Sequence, residues 1–260
     1  MTTGHSRLEH LAAWVRRMTT RRPETPEVYQ SSTIGALLDG VYDGDITIAE
    51  LLRHGNFGLG TFDRLDGEMV ILDGVCYHLR ADGSARRADP DDRTPFAAVT
   101  RFHAQTTLAV DTTTDRAAVF ALIDAAVNSH NLIHAIAITG SFDTVRTRTV
   151  AAQTPPYPPL TEVSDHQAEM VFEPAAGTII GFRTPDFEQG IAVAGYHLHF
   201  LNDTHTAGGH VLDFALRSGR IAISTASELH LRLPTTGAFL TAELDGGDIG
   251  TQIRHAEGGG

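Results

Sequence analysis

The stretch Tyr196-His197-Leu198-His199-Phe200 decides how the C-terminal part of this chain folds. Side chains along a β-strand point alternately to its two faces, so His197 and His199 share one face of such a strand. The residues between and after them point to the other face and are apolar. The stretch therefore predicts a strand with one buried apolar face and two imidazoles directed the same way.

A third histidine follows in Gly209-His210-Val211, after the turn-forming segment Leu201–Gly209. These turn residues predict a hairpin centred near Thr204, which sets His210 opposite His199. Directly opposed residues have Cβ atoms about 5 Å apart, so the three imidazoles can reach one metal ion. Three nitrogen ligands leave coordination positions open for substrate, which is typical of catalytic rather than structural zinc.

A simpler interpretation stays open on spacing alone. A single histidine in a strand is usually a hydrogen-bonded polar residue, and the chain has 14 histidines, some of which fall close together by chance. The spacing by itself therefore supports a metal site of unknown purpose.

Charge and composition exclude several classes of protein. The formal net charge is −12, which argues against a nucleic-acid partner because such proteins need clustered positive charge. Every basic residue other than histidine is arginine, so a Schiff-base lysine and a phosphate-loop lysine are both excluded. Any decarboxylation chemistry is then expected to be metal-assisted.

Cysteine content and apolar runs bear on location. Cys76 is the only cysteine, so neither an intramolecular disulfide nor a cysteine zinc site is possible. The apolar stretch Leu11–Val15 is too short for a signal peptide, and no apolar run approaches the roughly 18 residues of a membrane helix. We expect a soluble cytoplasmic protein without a membrane partner.

The pattern of elements predicts an α+β (mixed α/β) fold with two β-sheet-rich halves and a few helices. We expect a peripheral N-terminal segment at residues 1–27, with a helix bearing arginines, and an N-terminal α/β half at residues 28–152. Residues 153–160 contain four prolines in five positions and predict an irregular crossover. Residues 161–260 then form a β-rich metal-binding half with a C-terminal tail.

Individual elements follow from periodicity and turn chemistry. The apolar face of Ala117–Ser129 predicts the clearest helix, and Asp66-Gly67 is a good hairpin turn. The strands predicted for the second half are Met170–Phe172, Thr178–Arg183, Ile191–Phe200, His210–Leu216, Ile221–Thr225, Leu229–Leu233 and Phe239–Leu244.

Several motifs, in unchanged order from about Tyr29 to the C-terminus, closely resemble the alpha-acetolactate decarboxylase family. Agreement among separate motifs makes the resemblance far more specific than any one of them. Besides the histidine hairpin, the motifs that carry it are Ser32–Asp45, Gly58–Phe62 with Leu65–Glu68, Thr147–Val150 with Gln153, and Pro156–Leu160.

The resemblance implies a zinc enzyme that converts 2-acetolactate to acetoin and carbon dioxide, usually as a homodimer. It implies that His197, His199 and His210 are the zinc ligands. It further implies that Glu68 is the first of two active-site glutamates and that Arg148 is the active-site arginine.

Two further residues carry over from the family. Thr61 resembles a hydroxyl that lines the substrate pocket. Glu257 resembles the second glutamate, on a C-terminal tail, and Glu243 is the alternative counterpart.

The chemistry of this reaction explains why such residues are needed. Loss of carbon dioxide from 2-acetolactate leaves an enediolate, whose charge a zinc ion can stabilise as a Lewis acid. The planar guanidinium of Arg148 can hold the substrate carboxylate. Arg146 shares a strand face with Arg148 if the segment is extended, so only the resemblance selects Arg148. Glu68 and Glu257 are the candidates for protonating the enediolate, and either could instead serve as an extra zinc ligand.

Two other functions compete with the decarboxylase. A cupin-like metal-dependent oxygenase also uses a His-x-His pair on a strand, but cupins normally add a nearby glutamate and a distant histidine. Here Asn202-Asp203-Thr204 follows the pair and His210 comes quickly. The second competitor is a non-catalytic metal-binding β domain.

Overall fold

The computed structural model describes residues 26–244 and 248–256. These residues form six helices and 16 strands, which we number in chain order. The helices are α1 (Ile34–Leu38), α2 (Ile48–Leu51), α3 (Arg116–Ala126), α4 (Leu160–Ser164), α5 (Gly237–Thr241) and α6 (Ile249–Ala256). The strands are β1 (Glu27–Ser31), β2 (Ile46–Thr47), β3 (Phe57–Thr61), β4 (Glu68–Leu72), β5 (Val75–Leu79), β6 (Ala85–Arg87), β7 (Arg93–Thr94), β8 (Ala97–Thr100), β9 (Thr106–Val110), β10 (Thr114–Asp115), β11 (Ile133–Thr149), β12 (Ala168–Phe172), β13 (Ala175–Thr184), β14 (Gly195–Asn202), β15 (Gly208–Ala226) and β16 (Glu228–Arg232).

The first of two large sheets, sheet I, has the strand order β16-β1-β8-β3-β4-β5-β6. Neighbouring strands in it are antiparallel except for β1 and β16, which run parallel. Among the described residues, the last strand therefore returns to the sheet that holds the first. A separate two-stranded ribbon joins β2 to β7.

The second sheet, sheet II, contains β9 to β15 and is partly closed. Strand β15 pairs with both β14 and β11, and β13 pairs with both β14 and β11, so four strands form a ring. The α+β class predicted from the sequence is confirmed, with the three histidines on the β14–β15 hairpin of sheet II. The predicted division of the chain at residues 153–160 stays a prediction.

One strand of the ring is longer than expected. The separate strands predicted for His210–Leu216 and Ile221–Thr225 are one strand, β15, paired along its length with β11. In this pairing Gly140 lies opposite Gly219, just before the register shift between Ser141 and Phe142. A Cβ atom on Gly140 would come within 2.2 Å of the Ser218 carbonyl oxygen, so this close approach needs glycine.

Aromatic side chains fill the centre of the ring formed by strands β11, β13, β14 and β15. Phe142 is fully buried, and its ring lies edge-on to Phe200 and Phe214 at centroid distances of 5.9 and 6.1 Å. A second apolar cluster joins the two sheets, because Leu59 and Val70 of sheet I pack with residues of sheet II.

The helix predicted at Ala117–Ser129 is present as α3. The Asp115 side chain accepts a hydrogen bond from the Ala118 amide at 2.8 Å, so the helix starts one residue earlier than expected. None of the helices in the described ranges combines the length and the apolar character needed to cross a membrane.

One predicted strand is wrong. Residues Phe239–Leu244 were expected to be extended, but α5 occupies Gly237–Thr241. The Thr236 hydroxyl accepts a hydrogen bond from the Phe239 amide at 3.3 Å, and this cap favours a helix start over a strand. Most of the predicted N-terminal segment, residues 1–25, lies outside the described residues.

The aromatic centre of sheet II provides a test of the fold. Because Phe142 is fully buried between two other rings, Phe142→Ala should lower the free energy of unfolding by about 3–5 kcal/mol. The measurement is urea unfolding followed by circular dichroism. Phe187 is 71% exposed, so Phe187→Ala is the matched control and should change the free energy by about 0.5 kcal/mol or less. Equal effects in the two variants would contradict this packing.

Candidate metal centre and substrate cleft

Three imidazoles meet on the inner face of the β14–β15 hairpin. Cross-strand pairing sets His199 directly opposite His210, as the sequence predicts. The ring centroids of His197, His199 and His210 form a nearly equilateral triangle with sides of 5.1–5.3 Å. One ligand nitrogen from each ring lies within 4.8 Å of the others. The geometry therefore allows all three to bind a single ion.

The hairpin turn fixes this register. The Asn202 side-chain oxygen accepts hydrogen bonds from the amides of Thr206 and Ala207 at 2.9 and 3.1 Å. His205 lies in the turn with a φ of 55° and is hydrogen-bonded to the Tyr77 hydroxyl at 2.8 Å. This histidine therefore belongs to the turn and not to the three-histidine cluster.

A contact from sheet I orients one of the rings. The carbonyl oxygen of Met69, on β4, lies 2.8 Å from Nδ1 of the fully buried His199 and accepts its hydrogen. The proton then sits on Nδ1, which leaves the lone pair of Nε2 facing the other histidines. Such a hydrogen bond to the far nitrogen of an imidazole is how proteins orient metal ligands.

The surroundings keep the imidazoles of His197 and His199 neutral. Burial, with a smaller effect from the Arg148 guanidinium, lowers the pKa of His197 to about 3. Burial and then the neighbouring His197 ring hold the pKa of His199 well below its usual value, against the opposing effect of the Met69 carbonyl. Neutral imidazole is the form that binds metals.

Glu68 enters from the facing sheet. It is the first residue of β4 and pairs across the β3–β4 hairpin with Thr61. The Thr61 hydroxyl donates a 2.6 Å hydrogen bond to the carbonyl of Gly67, which adopts a φ of +74°. This turn directs Glu68 towards the histidines, with its Oε2 atom 3.6 Å from His199 Nε2 and its side chain 14% exposed.

Arg148 is a buried arginine on β11, opposite His210. Its side chain is 6% exposed, its Nη1 donates to Gln167 Oε1 at 2.8 Å, and its Nε has no hydrogen-bond partner among the described residues. A buried guanidinium with an unused donor is suited to bind an anionic group.

The neighbouring Arg146 differs. It is exposed, and its Nη1 pairs with Glu169 Oε2 at 3.4 Å. The pairing between β11 and β15 shifts after Arg146, so that Arg146 lies opposite Asp213 whereas Arg148 lies opposite His210. Spacing alone could not reveal this irregularity, which the partner strand introduces.

Except for the second glutamate, the side chains predicted from the sequence meet at one cleft. Polar groups of Thr61, Glu68, Arg148, His197 and His210 line it, and His199 lies behind them in contact with Glu68. The remaining wall is mostly apolar and consists of Ile34, Leu37, Leu65, Phe96, Val150 and Leu160. Such a cleft suits a small polar substrate held with little water around it.

The second glutamate is the part of the prediction that the structure does not place. Glu257 lies outside the described residues. The alternative, Glu243, is exposed and does not line the cleft. Helix α6, which ends at Ala256, packs through Ile253 against the apolar cluster that includes Leu37 and Phe96 of the cleft wall.

Sequence reasoning missed Gln167, which holds the Arg148 guanidinium. It also missed the backbone carbonyl of Met69. Neither has a signal in the sequence, because a carbonyl belongs to every residue and Gln167 lies in no recognisable motif.

The donor set fits a divalent transition metal such as zinc. Three imidazoles with one adjacent carboxylate are ligands that zinc prefers. In addition, His199 Nε2 is buried without a hydrogen-bond partner among the described residues. An unsatisfied buried nitrogen costs stability, and an ion at the centre of the cluster would satisfy it.

Comparison with known proteins identifies the family of this chain. The family model for alpha-acetolactate decarboxylase matches residues 28–246. The alpha-acetolactate decarboxylase of Methylococcus capsulatus is 48% identical over 221 residues, which cover 85% of each chain. That of Klebsiella aerogenes is 45% identical over 247 residues, which cover 95% of each chain.

A solved structure extends the comparison to the fold. The crystal structure of alpha-acetolactate decarboxylase from Bacillus subtilis has a TM-score of 0.88 and 43% sequence identity to this chain. The match covers 89% of this chain and 99% of the other. A family match over most of the chain, with identities well above 30%, makes the relationship unambiguous: the chain belongs to the alpha-acetolactate decarboxylase family.

Proposed function

We propose that this enzyme converts 2-acetolactate to acetoin and carbon dioxide at the cleft beside the three histidines, with zinc as the bound metal. The observation that carries the proposal is the meeting of a metal-ligand triangle, a carboxylate and a buried guanidinium in one small cleft. Relatives at 45–48% identity bear the name of this decarboxylase, which supports the same substrate here.

Arg148 is proposed to hold the carboxylate of the substrate. Gln167 fixes one end of its guanidinium, and the buried Nε is left to donate to a ligand. A planar donor of this kind can orient the carboxylate so that the breaking bond lies perpendicular to the adjacent carbonyl. Thr61 donates its hydrogen to Gly67, so its hydroxyl offers only lone pairs to the substrate.

The histidines are proposed to hold the metal through Nε2 of His199 and one nitrogen each of His197 and His210. When bound, zinc supplies a Lewis acid that stabilises the negative charge developing on the substrate oxygens as carbon dioxide leaves. The Met69 carbonyl keeps the His199 ring in the tautomer that binding requires.

Glu68, in its carboxylic acid form, is proposed to deliver the proton that completes the reaction, and it regains a proton from solvent before the next turnover. After the carbon–carbon bond breaks, its electron pair remains on the enediolate, and protonation at that carbon gives acetoin. Glu68 reaches the cleft from a single side, and the apolar wall around Leu65 and Phe96 limits competing protonation by water. Glu257 is the second candidate for this role.

Two other functions give different results in the same assays. A cupin-like oxygenase would consume oxygen, and a non-catalytic metal-binding domain would bind zinc without consuming 2-acetolactate. Family membership favours the decarboxylase over both. We further propose a homodimer in the cytoplasm.

Metal removal tests the proposal directly. Zinc-loaded protein incubated with racemic 2-acetolactate under nitrogen should form acetoin at least 100-fold faster than the spontaneous reaction. Dialysis against a chelator should reduce the rate to the spontaneous value, since charge stabilisation is lost, and added zinc should restore it. Acetoin is measured colorimetrically. No excess acetoin from zinc-loaded protein would overturn the decarboxylase proposal.

The ligand assignment has its own test. His199→Ala should remove both bound zinc and acetoin formation, because one of three nitrogen ligands is lost. Zinc content is measured by atomic emission after gel filtration. The control is His205→Asn, since asparagine tolerates the positive φ of this turn position. Comparable zinc loss in both variants would rule out the proposed ligand set.

Two arginines on one strand give a matched pair for the substrate contact. Arg148→Lys keeps the charge but loses the planar donor, so kcat/KM should fall about 10–100-fold. Arg146→Lys changes only an exposed pair with Glu169 and should leave kcat/KM within about twofold. Both values come from initial rates of acetoin formation. If the two variants behave alike, Arg148 does not hold the substrate.

A further inference from the structure

The loop that leads into Glu68 has an unfavourable backbone conformation. It spans residues 62–67, between β3 and β4. Arg64 and Leu65 adopt φ values of 60° and 58°, and Gly67 follows with a φ of 74°. Positive φ is uncommon for residues other than glycine and costs free energy, so a loop with two such residues in a row persists only where its surroundings hold it in place.

Neighbouring segments hold this loop through backbone groups. The Arg64 amide donates to the Tyr42 carbonyl at 2.8 Å, and the Gln153 amide donates to the Arg64 carbonyl at 2.7 Å. The Gly67 amide donates to the carbonyl of Val150 at 3.1 Å, and Val150 also lines the cleft. The loop is therefore fixed by segments that lie far apart in the chain.

A buried histidine supports the same loop with its side chain. His78, on β5, is 3% exposed, and its Nε2 donates to the Asp66 carbonyl, two residues before Glu68, at 2.6 Å. The Asp66 carboxylate lies 3.6 Å from the same nitrogen. The His78 ring also stacks on Phe62 at a centroid distance of 4.1 Å, so it contacts both ends of the loop. Burial lowers the pKa of His78, against the opposing effect of Asp66, and the neutral ring carries its hydrogen on Nε2.

His78 lies outside the substrate cleft. It pairs directly with Met69 across β4 and β5, so its side chain shares the face of sheet I that carries the Met69 side chain. Glu68, one residue earlier, points to the other face, towards His199. The His78 ring therefore cannot touch the substrate, and it can affect the reaction only through the residues that it holds.

We propose that His78 is a positioning residue for Glu68. The hydrogen bond from its ring to the Asp66 carbonyl holds the loop so that the Glu68 carboxyl group faces the cleft at a fixed place. This inference rests on the proposed role of Glu68 as the proton donor. A group that transfers a proton must be accurately placed, and a displacement of about 1 Å can slow a reaction about 100-fold.

A pair of substitutions tests the hydrogen bond itself. His78→Phe keeps a ring beside Phe62 but has no donor, so kcat should fall about 10–100-fold because Glu68 is less accurately placed. KM should stay within about threefold, since Arg148 is unchanged. His78→Gln, whose amide nitrogen can replace Nε2 as the donor to Asp66, should restore kcat to within about threefold of the unmodified protein. Rates come from acetoin formation and are normalised to bound zinc.

A second buried histidine provides the matched control. His134 is fully buried, its Nε2 donates to the Ser129 carbonyl at 2.8 Å, and it does not line the cleft. His134→Phe removes the same kind of hydrogen bond, so it and His78→Phe should both unfold at a lower urea concentration. Only His78→Phe should lose turnover, and His134→Phe should keep kcat within about twofold of the unmodified protein.

The outcomes separate this inference from the proposed function. If Glu68→Gln retains full turnover, the proposed role of Glu68 is wrong and the inference falls with it. If Glu68→Gln is inactive but His78→Phe keeps kcat within about twofold, the positioning role is wrong and the role of Glu68 stands. The same holds if His78→Gln loses as much kcat as His78→Phe.

Zinc content gives a further check on how His78 acts. His78→Phe should bind zinc as the unmodified protein does, measured by atomic emission after gel filtration. Loss of zinc in step with kcat would contradict the proposal, because the substitution would then act on the metal site through Met69 and His199. His78→Leu serves the same measurements should the phenylalanine variant fail to fold.

Discussion

The hydrogen bond between the His199 ring and the Met69 carbonyl is the contact on which the site depends. It joins β14 of sheet II to β4 of sheet I at a separation of 2.8 Å. Met69 directly follows Glu68, so the contact that orients the imidazole also brings the carboxylate within 3.6 Å of it. The candidate ligands from one sheet and the Glu68 carboxyl group from the other meet only when the two sheets are docked.

Local patterns explain why part of this site could be predicted from the sequence. Alternation along a strand depends only on neighbouring residues, and it predicted that His197 and His199 share one face. The chemistry of the turn is equally local, and it predicted the pairing of His199 with His210. Closure of four strands into a ring and the parallel pairing of β1 with β16 depend on residues far apart in the chain. No local pattern encodes them, so they were not predicted.

The remaining errors and omissions also have physical causes. Arg146 and Arg148 are equivalent by spacing, and only a shift in pairing with another strand separates them. Phe239–Leu244 has the apolar content of a strand, but the cap at Thr236 starts a helix instead. Glu188 lies in a short turn and looks like a surface charge in the sequence, because its burial is created by strands that surround it only after folding.

Buried polar groups at the seam between the sheets link metal binding to folding. His199 Nε2 and Glu188 Oε2 are both buried without hydrogen-bond partners among the described residues, and each destabilises the metal-free fold. A cation bound by the histidines would satisfy the first group directly. Because the unfolded chain has no preformed ligand triangle, such an ion would stabilise the folded state in proportion to the logarithm of its concentration over Kd. The buried imidazole nitrogen that is costly in the fold without an ion is therefore also a group through which the fold would bind one.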